Sequence, residues 1–272
     1  MGGMKIAVVQ FTAGSDKPAN LAAARASIAE AAAAGAGLVV CPEAAMHGFG
    51  RPTDPLAPVA EPLDGAFVTG LAQAARQHRV TVLAGMFETV PDAASLAFNT
   101  LVALGPGGDL LGAYRKLHLF DALGWRESER LARADVTAPD ALLTFAVGEL
   151  TVGALTCYDL RFPELARALV DAGAQVLALP AAWVAGPLKE DQWAILVRAR
   201  AIENTCYVAA AGQGGPEYAG RSMVVDPAGV ALAQLLDGPG VAVAEVGAAR
   251  VAQVRAAVPS LEHRRFRIVP GS

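Results

Sequence analysis

Apolar residues recur along the chain with two alternating periods. Residues 5–11 (KIAVVQF) make an apolar, β-branched run of strand length. Over residues 18–34, Leu21, Ala24, Ile28 and Ala32 recur at helical spacing, and Gly35 and Gly37 end the stretch. Residues 38–41 (LVVC) predict the next strand, stopped by Pro42. A second helix is expected over 64–79, with Phe67, Leu71, Ala74 and Ala75 on one face, and a strand over 80–87. The N-terminal third therefore reads β-α-β-α-β.

Further strands are expected over 100–104, 109–114, 142–147 and 151–157. Residues 163–172 follow as a helix with proline in its first turn. A strand at 175–179, stopped by Pro180, leads to a longer helix over 188–204 and a strand over 206–211. Residues 221–226, 230–236 and 241–246 predict a closing antiparallel meander before a last helix at 248–256. Two proline-ended strands, 38–42 and 176–180, hint at two related halves. No Ser/Gly-rich linker separates them, so residues 1–272 read as a single α/β domain of mixed sheets covered by helices.

Composition narrows the function. The chain of 272 residues is 54% hydrophobic and 18% charged, which suits a large core and excludes disorder. Lys and Arg number 22 against 26 Asp and Glu, a net charge of −4. The only basic knot is His263-Arg264-Arg265 with Arg267, so no nucleic-acid partner is expected. The N-terminus lacks a signal-type apolar run, and Ile6 stands where myristoylation needs Ser or Thr. The weakly polar stretch 172–188 is broken by Gly173, Pro180, Gly186 and Pro187. The expectation is a cytoplasmic protein with no membrane partner.

Most familiar catalytic motifs are absent: no G-x-S-x-G elbow, phosphate loop or H-E-x-x-H helix occurs. Gly212-Gln213-Gly214-Gly215 reads as a plain loop. Three cysteines, Cys41, Cys157 and Cys206, with no C-x-x-C spacing exclude a disulfide framework or a structural zinc site. Cys41 and Cys206 lie inside apolar strands and read as small core residues. Polar residues remain at strand ends: Glu43 after 38–42, Lys116 after 109–114, and Cys157 before a turn and helix. Ligands gather where strands end in sheet-based enzymes. There a carboxylate could take a thiol's proton, an ammonium could hold a developing oxyanion, and the Tyr158 N–H could be a second donor.

Blander readings stand beside these. Cys157 alone reads more readily as a core residue than as a nucleophile, Glu43 as a solvated carboxylate and Lys116 as a surface lysine. A Cys157–His118 pair is another arrangement the sequence allows. Arg161 and Glu164 read as a structural ion pair. Trp183 either lines a pocket or covers a sheet edge.

The segments VVCPE (39–43), YRKLHLFD (114–121) and LTCYDLRFPE (155–164) together resemble the nitrilase, or carbon–nitrogen hydrolase, superfamily. The likeness continues through LPAAW (179–183), RAIENTCYV (200–208) and GRSMVVDP (220–227), nearly the whole chain in order. The resemblance implies a four-layer α-β-β-α sandwich of two stacked mixed sheets flanked by helices, assembled as a homodimer or higher homo-oligomer. It implies a Glu43–Lys116–Cys157 triad with Glu127 as a second glutamate, and no metal or organic cofactor. Tyr158 and Trp183 are the expected substrate-binding residues.

The implied reaction is cysteine-dependent hydrolysis of a small linear carboxamide, such as an ω-amide or a deaminated-glutathione-like amide, to the acid and ammonia. An N-carbamoyl amino acid or β-ureido substrate is the nearest alternative, and a true nitrile follows. Residues 121–127 are short, and 131–135 lack the Pro-Gly that ω-amide and deaminated-glutathione relatives often carry, which leaves the branch open. Arg126, Arg161, Arg198, Arg200 and Arg221 are all candidates for a carboxylate clamp. Amide transfer to an acceptor other than water, and a non-catalytic scaffold that kept the fold, are the remaining readings.

Overall fold

The computed structural model describes residues 3–91, 93–269 and 271. Two six-stranded mixed sheets stack face to face, and helices cover both outer faces. The first sheet is ordered β12 (Gly240–Val246), β1 (Met4–Gln10), β2 (Ala36–Val40), β3 (Thr81–Thr89), β4 (Ala97–Leu104), β5 (Leu110–Arg115). The second is ordered β11 (Ala231–Gln234), β10 (Met223–Val225), β9 (Tyr207–Gly212), β8 (Val176–Ala181), β7 (Leu150–Ala154), β6 (Leu143–Val147). Each has a parallel centre, β1-β2-β3 and β7-β8-β9, flanked by antiparallel strands. The two proline-ended strands, β2 and β8, are thus middle strands of the two sheets.

Alternation along the strands sorts the core. Ile6, Val8, Leu38, Val40 and Leu83 pack between the sheets. Ala7, Val9, Val39 and Val82 face outward onto Ala24, Ile28, Leu71 and Ala75. The latter belong to α1 (Lys17–Ala33) and α2 (Ala66–His78), the crossovers of the first sheet. Helices α3 (Pro163–Asp171) and α4 (Lys189–Asn204) play that part for the second, and α5 (Ala248–Ala257) follows β12. Side chains at i, i+3 and i+4 on one helix face meet the flat sheet, which is why the two periods in the sequence mark these layers. Among the described residues no helix is long and apolar enough to cross a membrane.

Of the boundaries that differ from expectation, three are explained by tertiary contacts. The strand expected at 100–104 begins at Ala97, where Phe98 and Asn99 extend the pairing with β3. The strand at 175–179 runs on through Pro180 to Ala181. Its ladder with β7 ends at Ala178. The Pro180 carbonyl, which accepts from Thr156 Oγ1, faces that same side, so the donor that proline lacks falls beyond the ladder. The strand expected over 151–157 stops at Ala154, and Cys157 instead opens a short 3₁₀ turn, Cys157–Arg161.

Candidate functional site

The turn at Cys157 aims the thiol. Cys157 sits at φ 47°, a left-handed conformation that costs a non-glycine residue about 1–3 kcal/mol. A capping box holds it there. The Thr156 N–H donates to Asp159 Oδ2 at 2.9 Å, and the Thr156 side chain accepts from the Asp159 backbone. Asp159 reaches further, accepting from Tyr114 Oη at 2.6 Å and pairing through Oδ1 with His118 Nδ1 at 2.7 Å. The turn that carries Cys157 is thereby tied to residues 114–118, which include Lys116. His118 is engaged by Asp159 and stacks on Phe162 with ring centroids 3.8 Å apart, so the Cys157–His118 alternative is not what forms.

Glu43 is placed by close backbone approach. The loop after β2 lies directly on β3, where the Gly85 N–H donates to the Pro42 carbonyl and the Gly85 carbonyl accepts from the Met46 N–H. A Cβ at Gly85 would stand 2.5 Å from the Ala44 nitrogen and 2.7 Å from the Glu43 Cα, closer than any carbon can sit. From below, Gln213 Nε2 donates to the Glu43 carbonyl at 2.9 Å, so the glycine-rich loop after β9 serves as a support.

Glu43, Lys116 and Glu127 form one fully buried network. Glu43 Oε1 accepts from Lys116 Nζ at 3.0 Å and from Asn99 Nδ2 at 2.7 Å. Its Oε2 accepts from the Ala182 N–H at 2.7 Å. Lys116 Nζ also lies 2.9 Å from Glu127 Oε2, which accepts from the Phe120 N–H at 2.7 Å. Burial opposes the Lys116 charge, but Glu127 and Glu43 outweigh it and hold the ammonium well above its ordinary pKa. Burial raises the Glu127 carboxyl, with the Lys116 charge pulling it down and the Glu43 charge pushing it up.

Cys157 meets this network at the floor of a narrow cavity. Phe49, Phe120, Trp125, Glu127, Tyr158, Trp183, Lys189 and Tyr218 line it. Burial pushes the thiol well above its ordinary value, the Glu43 charge adds to this, and Lys116 acts in the opposite sense. Cys41 and Cys206 are 0% exposed against 9% for Cys157, and burial pushes both up to about 12. They are core residues, as expected.

All six residues singled out from the sequence therefore converge: Glu43, Lys116, Glu127 and Cys157 within the network, Tyr158 and Trp183 on the cavity wall. The Tyr158 N–H is second in its helical turn, a position with no partner inside the turn. Trp183 lines the cavity rather than a sheet edge, and its Nε1 donates to the Lys189 carbonyl at 3.0 Å. One expectation fails. Arg161 does not pair with Glu164; its Nη2 donates to Gln192 Oε1 at 2.6 Å, and its guanidinium lies 4.9 Å from the Trp183 ring centroid. At the start of α3 the Glu164 side chain points elsewhere, and the helix N-terminus itself favours a negative charge there.

Four contributors went unnoticed in the sequence: Asn99, Gln213, Gly85 and Lys189. The first three act through tertiary contacts, Asn99 and Gly85 from strands of the same sheet as β2 and Gln213 from the loop after β9 of the other. Lys189 opens a helix, where a lysine carries no signal of burial.

A sequence model of the carbon-nitrogen hydrolase family matches residues 5–256. The deaminated glutathione amidase of Escherichia coli O157:H7 is 40% identical over 97% of this chain and 98% of its own. The NitFhit protein of C. elegans superposes with a TM-score of 0.85 at 32% identity, over 97% of this chain and 66% of that longer one. A double mutant of the amidase from Nesterenkonia sp. AN1, in complex with acrylamide, superposes with a TM-score of 0.81 at 26% identity, over 97% and 94%.

Proposed function

This chain belongs to the carbon–nitrogen hydrolase family, and we propose that it is an amidase using Cys157 as nucleophile to release ammonia from a small linear carboxamide. One observation carries the assignment of roles: a buried carboxylate–ammonium–carboxylate network opens onto a single cavity-lining thiol.

With its pKa raised, resting Cys157 is a protonated thiol and needs a base. Glu43 takes that proton as sulfur attacks the amide carbon, and the carbonyl electron pair moves onto oxygen. Lys116 Nζ and the Tyr158 N–H hold the oxyanion. The oxyanion collapses, Glu43 returns the proton to nitrogen, the C–N bond breaks and ammonia departs, leaving a thioester. Glu43 then removes a proton from water, hydroxide adds to the thioester, and the acid leaves as Cys157 regains its proton. Glu127 keeps Lys116 charged and pointed at the reacting oxygen.

Relatives called deaminated glutathione amidase, at 35–40% identity, support an amide substrate; the amides of glutathione are N-substituted, and from such a substrate the proton returned by Glu43 would release an amine in place of ammonia. A screen of ammonia release over ω-amides, N-carbamoyl amino acids and nitriles, with Cys157→Ala as control, tests the reading. Ammonia with the matching acid, lost in Cys157→Ala, is expected. Release of carbon dioxide and an amine as well would move the enzyme to the carbamoylase branch, and release undiminished in Cys157→Ala would refute the mechanism. A homodimer belongs to the same proposal, with Ile195 and Ile202 exposed two turns apart on α4 as a candidate contact. Monomeric mass by light scattering at micromolar concentration would refute it.

A further inference from the structure

The cavity contains a positive charge that amide hydrolysis at Cys157 does not use. Lys189 is only 6% exposed, yet among the described residues no carboxylate pairs with it and no oxygen accepts a hydrogen bond from its ammonium. The ammonium lies 4.4 Å from the Trp183 ring centroid and 5.7 Å from that of Phe120, both on the wall of the cavity that holds Cys157. Lys189 lines the cavity, so its ammonium is partly stripped of water without a counter-ion, and aromatic faces return only part of the lost hydration. The residue is also held in place: the Lys189 carbonyl accepts from Trp183 Nε1, and Leu188 before it takes a left-handed φ of 60°.

The charge layout gives the cavity a direction. Around Lys116, two carboxylates share one ammonium, so the floor beside Cys157 carries an excess of negative charge. A neutral carboxamide tolerates that floor, whereas an anion is repelled from it. Around Trp183 the sign reverses, because Lys189 and Arg161 both lie over that ring. Burial lowers the Lys189 pKa and Arg161 adds to the effect, as expected of cations that lack an anion between them.

We infer that Lys189, assisted by Arg161, binds a carboxylate at the far end of the substrate and makes the enzyme selective for carboxamides that carry one. This rests on the amidase reading and gives it a substrate class. Of the five arginines proposed as a clamp, Arg161 alone lies against a ring of the cavity wall, and the principal cation is a lysine outside that set.

The test compares the monoamide of glutaric acid with its neutral diamide in wild type, Lys189→Met and Lys189→Arg. Wild type should favour the monoamide. Lys189→Met should reduce that preference, the ratio of the two kcat/KM values, by roughly 10- to 100-fold, the scale of one charge-assisted hydrogen bond. The loss should appear mainly in KM for the monoamide, and Lys189→Arg should recover much of it. Equal loss on both substrates would make Lys189 a packing residue and overturn the inference, as would absence of a wild-type preference.

Calorimetric binding of the glutaric monoamide to Cys157→Ala provides a readout that needs no turnover. The monoamide should bind Cys157→Ala, and at least tenfold more weakly when Lys189→Met is added. If neither amide is hydrolysed by the wild type while monoamide binding still depends on Lys189, the amidase reading fails and the anion site stands. Monoamide binding that ignores Lys189, or no monoamide binding at all, overturns the site.

Discussion

Glu43→Gln separates the proton-transfer role of Glu43 from its structural one. The carboxylate accepts three hydrogen bonds, from Lys116 Nζ and Asn99 Nδ2 on one oxygen and from the Ala182 N–H on the other. A glutamine has one oxygen to offer. If it faces Lys116 and Asn99, the new NH₂ meets the Ala182 N–H; if flipped, it meets two donors. The first orientation loses one buried hydrogen bond, a cost of about 1–3 kcal/mol. That is survivable for a domain with stability on the order of 5–15 kcal/mol. Loss of the general base should lower kcat/KM by roughly 10²–10⁴-fold, or about 3–5 kcal/mol of barrier. Thermal unfolding should thus show a modest drop in Tm while ammonia release nearly vanishes. A folded Glu43→Gln enzyme within tenfold of wild type would refute the assignment of Glu43 as base.

Iodoacetamide at pH 8 should label Cys157 well before Cys41 or Cys206, since Cys157 lines a cavity whereas the other two are fully buried; peptide mass spectrometry reads this, and equal labelling would favour the scaffold reading. Gly85→Ala should push the Glu43 loop off β3, lowering stability by about 1–3 kcal/mol and activity by roughly 10²-fold or more, as melting and ammonia release would show. Asp226 governs an acid-side effect. Burial raises its pKa, but the Val230 N–H, Arg250 and the Ala228 N–H outweigh this and hold it below the ordinary carboxylate value. Its stabilising contribution is therefore present above the unfolded pKa of about 3.9 and lost as pH falls through the lower folded value. Asp226→Asn should melt lower at pH 6 and lose less further stability by pH 3 than wild type does; parallel curves would contradict this.

Much of this architecture could be read in advance because it is periodic. Period-2 runs such as 5–11 and helical spacing such as Leu21, Ala24 and Ile28 encode which face is buried, and burial dominates the fold. Boundaries were harder. Whether a strand passes Pro180 depends on where its neighbour stops, and whether Cys157 ends a strand or opens a turn depends on Asp159 reaching back to Thr156. Both are tertiary facts that no local propensity contains.

The site divides along the same line. Glu43, Lys116 and Cys157 were polar residues near the ends of apolar strands, with blander readings open for each, and the family resemblance of the surrounding segments then marked them, with Glu127, as a set. Asn99 and Gln213 gave no such signal: each is an ordinary polar residue whose role comes from contacts with the Glu43 segment, 56 and 170 positions away along the chain. Lys189 shows why the gap is physical. At a helix start a lysine is ordinarily solvated, whereas here the rings of Trp183 and Phe120 stand beside the ammonium and the residue is buried. Its charge becomes informative once burial leaves it without a partner, so the feature that points to the substrate exists only after the two sheets have come together.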